Sequence, residues 1–117
     1  MNPTLIKTYV ADAAIMGCRI VKFGAEDGHV VQSAAGTDAS IGVADSLNVE
    51  AGDRLDVIRA GIADVQFGGS VERGAPVTAD AEGCAVAVQA GDRIIGFADV
   101  SAESGDISPV LLAFGKI

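Results

Sequence analysis

The chain has 117 residues, 50% of them apolar, with one Tyr, four Phe, no Trp and a formal charge of −8. That length fits a single domain over 1–117, and the acidic balance repels phosphate backbones and anionic lipid, which excludes nucleic acid and membrane surfaces as expected partners. Small Ala, Val, Ile and Gly side chains each bury little surface, at roughly 25 cal/mol per Å², so the composition favours association with further copies or with a partner.

Taken in chain order, the first residues, Asn2-Pro3-Thr4-Leu5-Ile6, lack the charged-then-apolar pattern of a signal peptide. No apolar run is long enough to span a bilayer. Synthesis in the cytosol is the expectation. Residues 1–10 read as an N-terminal arm. Ala11 to Gly17 can form one or two helical turns closed by the glycine. Asp27-Gly28 is a hairpin turn, because Gly takes positive φ without steric cost. Asp45 to Gly52 can form a second short helical stretch, capped by Asp45 or Ser46. Arg54-Leu55-Asp56-Val57 and Asp64-Val65-Gln66-Phe67 alternate polar and apolar residues, as half-buried strands do, with a bend at Gly61 between them. Pro76 and Pro109 each sit at the start of an apolar strand.

The chain repeats itself. Gly28 matches Gly83 and Gly36 matches Gly91, each pair 55 residues apart. Ile41-Gly42-Val43-Ala44-Asp45 matches Ile95-Gly96-Phe97-Ala98-Asp99 at a spacing of 54. Gly52-Asp53 matches Gly105-Asp106, and Val57 matches Val110, at 53. Such drift is what loop indels produce. The expected fold is all-β: a compact β-sandwich or barrel built from two pseudo-repeated β-units, 17–61 and 73–117, with one or two short helical turns. Two similar units also suggest packing about a pseudo-two-fold axis.

A search for chemistry yields no catalytic residue, no cofactor site and no metal site. His29, the lone histidine, aligns in the repeat with Cys84. A position that accepts either residue is structural before it is catalytic. Cys18 and Cys84 form no CxxC, and zinc needs three or four ligands. Most carboxylates neighbour glycine, which is turn chemistry. No P-loop, EF-hand or G-x-S-x-G occurs, and Ser33 and Ser101 lack a partner base.

Several segments resemble the capsid cement, or head-decoration, proteins of tailed phages and prophages. They are Tyr9-Val10-Ala11, Arg19 to Gly24, Ile41 to Asp45, Asp56 to Val65, Arg73 to Asp80 with Gly83, and Ile94 to Ala98. The resemblance implies a structural virion protein on the capsid exterior that cements neighbouring major capsid subunits of the expanded shell. It also implies a homo-oligomer, a trimer above all, with no cofactor and no catalysis. Asn2, Pro3, Leu5, Ile6 and Tyr9, which read as lying outside the repeat, are the candidate capsid or oligomer interface. They would add a strand to a shell subunit, or else form a terminal strand of the same domain. A trimeric head-fibre or spike base is the alternative function. A small hydrolase using His29 or a carboxylate at a subunit interface is the remote one.

Overall fold

Short apolar strands alternate with tight turns along the chain, so nearly every strand finds its partner close in sequence. The structure, a computed structural model, describes residues 5–116. Five strands, β1 (Leu5–Ala11), β2 (Ile20–Phe23), β3 (His29–Gln32), β4 (Ser40–Ala44) and β5 (Arg54–Ala60), close into a barrel in the order β1-β3-β2-β4-β5. Five more, β6 (Ile62–Gln66), β7 (Pro76–Ala79), β8 (Ala85–Ala87), β9 (Arg93–Ala98) and β10 (Ile107–Lys116), form a sheet in the order β6-β10-β9-β7-β8.

The two orders are the same succession, β3-β2-β4-β5-β1 and β8-β7-β9-β10-β6. The closing contact repeats as well. β1 meets β3 in parallel at Ala11↔Val30, and the residue after β6 meets β8 through the parallel bridge Phe67↔Ala85. The repeat therefore starts at β1 and β6. Residues 5–10 are a barrel strand within it, and the reading of this stretch as an arm outside the repeat is corrected.

The repeated Ile-Gly-x-Ala segment has a steric cause. A Cβ on Gly42 would lie 2.3 Å from the Ile58 carbonyl oxygen, and one on Gly96 would lie 2.3 Å from that of Leu111. Each glycine lets the neighbouring strand pass at a distance no side chain permits.

The expected helical turns do not form, and no helix occurs among the described residues. Instead the two candidate segments pair with each other at Ile15↔Val49, with N–H···O bonds of 3.0 and 2.9 Å. Val71↔Ala102 repeats this in the second unit. A helix this short has a costly nucleus, and the bridge instead holds Ile15 fully buried in the barrel core. Asp45 does accept from the Ser46 N–H at 2.7 Å, but it caps a turn.

The units are not related by a two-fold axis. On the outer face of the barrel, Ile20, Val43, Ile58 and Ile6 form one cross-strand row. Pro76, Phe97, Leu111 and Ile62 form the equivalent row on the second unit. Ile20 and Val43 are 0% exposed, joined to the core of the second unit. Phe97, Leu111 and Ile62 are 37, 47 and 39% exposed. A two-fold would bury both rows alike, so the packing is head to tail.

The seam shows how. The Gln66 N–H donates to the Cys18 carbonyl at 2.9 Å and the Ile20 N–H to the Gly83 carbonyl at 2.8 Å. Cys18 to Ile20 is thereby wedged into the mouth of the second unit, between β6 and the turn before β8. At the equivalent place in the barrel, the Val10 N–H bonds directly to the Gly28 carbonyl at 2.9 Å. Buried Arg19 pins the wedge, donating to the Glu82 carbonyl at 2.8 Å and to Gln66 Oε1 at 3.4 Å.

Candidate interaction surface

β1 carries the candidate interface residues and is only partly enclosed. It pairs with β5 along Leu5 to Val10, but with β3 only at Val10 and Ala11. In a strand, successive residues aim their N–H and C=O groups to opposite sides. Val10 donates towards β3, so Thr8 and Ile6 aim the same way, where among the described residues no strand pairs with them. An edge of this kind is a template for strand addition.

The side chains divide along the strand. Leu5 and Ile6 are 60 and 52% exposed and form an apolar tip. Asn2 and Pro3 lie outside the described residues. Tyr9 is 2% exposed and belongs to the barrel core, which corrects its reading as a surface contact. Period-2 alternation explains this, since Tyr9 shares the inward face with Ala11.

Beside this edge lies an open hollow of about 460 Å³, lined by Lys7, Tyr9, Phe23, Arg59 and the turn from Gly24 to Gly28. Arg59 Nη1 donates to the Tyr9 hydroxyl at 2.6 Å and Nε to the Ile41 carbonyl at 2.9 Å. Its guanidinium stands 5.7 Å from the Phe23 ring centroid, and Lys7 Nζ stands 5.3 Å from that of Tyr9. Tyr9 and Phe23 meet edge to face at 6.5 Å. Two cations are thus held over two aromatic rings in a chain of charge −8.

The residues weighed for chemistry have structural roles here. His29 Nδ1 lies 2.5 Å from Asp12 Oδ1. Asp12 also accepts from the Ala25 N–H at 3.0 Å, and that bond, then His29, holds its carboxyl below the usual range. The pair ties the β2–β3 turn to the end of β1. In the second unit Asp80 does the corresponding work, accepting from the Glu82 and Cys84 N–H groups at 2.8 and 2.9 Å. Cys18 and Cys84 are buried free thiols, and burial raises both of their pKa values. Among the described residues no three metal-ligating side chains come together. Nor is any helix there long and apolar enough to cross a membrane.

Sequence reasoning missed Lys7, Phe23 and Arg59, and the exposed row of the second unit. The signal lay in differences between the repeats. Lys7 and Arg59 stand where the second unit has Ala63 and Leu112, as the strand registers show.

Comparison with known proteins gives the family and agrees with the fold. The sequence pattern of a family described as phage cement protein matches residues 2–112. Among solved structures, the head fibre gp8.5 N base of bacteriophage phi29 matches with a TM-score of 0.74 and 21% identity, over 95% of each chain. At that identity the likeness speaks for the fold. No curated protein matches. With its sequence pattern satisfied over nearly all its length, the chain belongs to the phage cement protein family, structural proteins of the virion capsid.

Proposed function

We propose that this protein binds the outside of an expanded phage capsid as a homo-oligomer, a trimer above all, and cements neighbouring major capsid subunits. It does so by adding contacts rather than by catalysis. Family membership is the observation that carries this reading. Cement of this kind stabilises the lattice state it binds by mass action, and contacts that exist only after expansion make the effect specific to that state. The apolar tip Leu5-Ile6 on the open edge of β1 supports a role as the shell contact, continued by Asn2 and Pro3. An extended shell segment pairing there would gain main-chain hydrogen bonds and two apolar anchors.

The test is binding to expanded heads that lack the protein. Leu5→Asp and Ile6→Asp replace exposed side chains, so a native circular dichroism spectrum is expected with head binding weakened at least ten-fold. Unchanged binding would remove this strand from the shell contact. The phi29 neighbour keeps a head-fibre base as the second reading. It predicts few copies at restricted positions rather than a dense cover.

A further inference from the structure

The two units pose the same interface question and answer it differently. In the second unit, the inward positions around the mouth are Ala63, Val65, Ala79 and Leu112, and all four belong to a core that also contains Ile20 and Val43 of the first unit. Their equivalents in the first unit are Lys7, Tyr9, Phe23 and Arg59, which line the open hollow. One mouth is therefore filled by the outer row of a neighbouring unit, and the other has no neighbouring unit in it.

The outer rows show the converse. Ile20, Val43 and Ile58 of the row in the first unit are covered by the second, and the row through Phe97, Leu111 and Ile62 is exposed. One chain thus ends in an uncovered row and begins with an uncovered mouth.

Charge complements the two uncovered faces. Next to the exposed row, Asp64 is an exposed residue on the outer face of β6, opposite Pro109, and Asp99 is exposed just beyond β9. The covered row is flanked alike, with Asp45 in the place of Asp99 and Asp56, across from Thr8, in the place of Pro109, so it is the mouths that differ in charge. Opposite charges therefore mark the two uncovered faces: carboxylates beside the row, and Lys7 and Arg59 at the mouth. The mouth already filled within the chain has neutral Ala63 and Leu112 in place of those two cations.

We infer that the exposed row of one copy docks into the mouth of the first unit of a second copy. This repeats between chains the head-to-tail contact already made within one. The inference rests on the reading of the protein as a homo-oligomer, and it names the surfaces that make it one. Such a contact is heterologous, so it closes into a ring where the rotation permits. Lys7 and Ile6 leave opposite faces of β1, so a copy at the mouth leaves Ile6 open to the shell.

Sedimentation equilibrium of the full chain tests this, with circular dichroism as the check on folding. The wild type should have a mass that is a whole multiple of 11.7 kDa. Leu111→Asp, Asp64→Lys and Lys7→Asp should each fall to the monomer mass, and the double variant Asp64→Lys/Lys7→Asp should associate again. Asp64 and Lys7 are both exposed, so those two variants remain informative even if Leu111→Asp fails to fold. A monomeric wild type, a natively folded single variant at wild-type mass, or a monomeric double variant would each overturn the inference. Head binding is scored separately. A wild type that binds heads as a monomer sinks this interface alone, whereas an oligomer that ignores heads sinks the cement reading alone.

Discussion

The two units share strand order, register and turn chemistry, and they differ at the mouth. In the second unit small apolar residues, Ala63, Val65 and Ala79, leave room for the outer row of the first, and its core is completed from outside. In the first unit Tyr9 and Phe23 take those positions and Lys7 and Arg59 stand over them. A few side chains around one opening thus decide whether a repeated β-unit takes in its neighbour within the chain or keeps an open, cationic mouth, with no change of strand order.

The largest expected effects test what the units share. Gly42→Ala and Gly96→Ala each place a methyl against a carbonyl of the next strand. Both should lose about 3 kcal/mol or more in urea denaturation, since backbone must move. A marked difference between them would show that the close strand passage matters in only one unit.

The next effect separates the units. Arg19 holds the buried seam, and its equivalent in the second unit is Ala75. Arg19→Ala should cost about 2 kcal/mol, because the charge-assisted bonds to the Glu82 carbonyl and Gln66 Oε1 and the packing of a buried side chain are lost. Arg59→Ala, at the open mouth, should cost about 1 kcal/mol, because water replaces its bonds. The reverse order in denaturation would contradict the assignment of closed and open mouths.

A smaller effect concerns one turn. Cys18 has φ +60° where the equivalent Gly74 has φ +86°. Gly74→Ala meets open space, so its cost should be the backbone preference alone, about 1 kcal/mol. Cys18→Ala keeps a side chain in the same conformation and should shift stability less.

The smallest concerns acid. Asp12 is held below its ordinary 3.8 by the Ala25 N–H and by His29. Asp38 is raised by burial, but the Ala34 N–H and Lys22 outweigh this and leave it below 3.8. Both lie in the first unit. A carboxylate with a depressed folded pKa stabilises above its unfolded value, and that stability is lost as pH falls through the folded one. Amide exchange should therefore show β2 and β3 loosening before β7 and β8 as pH drops below about 4. Simultaneous loosening would mean that these two carboxylates do not set the acid response.

Much of this fold was legible from glycine. Gly28, Gly42, Gly83 and Gly96 stand where backbone geometry demands them, so they survive in both units and reveal the repeat. The match of β1 to β6 stayed hidden because Leu5 to Ala11 and Ile62 to Phe67 share only a two-residue period, with no glycine to align. The helical reading of Ala11 to Gly17 failed because local propensity lost to the Ile15↔Val49 bridge, a contact distant in sequence. Of the interface candidates, Leu5 and Ile6 are exposed whereas Tyr9 is buried, since burial on a strand follows alternation. The exposed row was illegible for another reason. Phe97 and Leu111 look like core residues, and only the covering of Val43 and Ile58 shows that the same positions form an interface.

The most direct test of the cement role is co-sedimentation of the purified protein with expanded heads lacking it, alongside unexpanded proheads. The account predicts saturable, many-copy binding to expanded heads and none to proheads. Equal binding to both, or only a few copies on each expanded head, would contradict it.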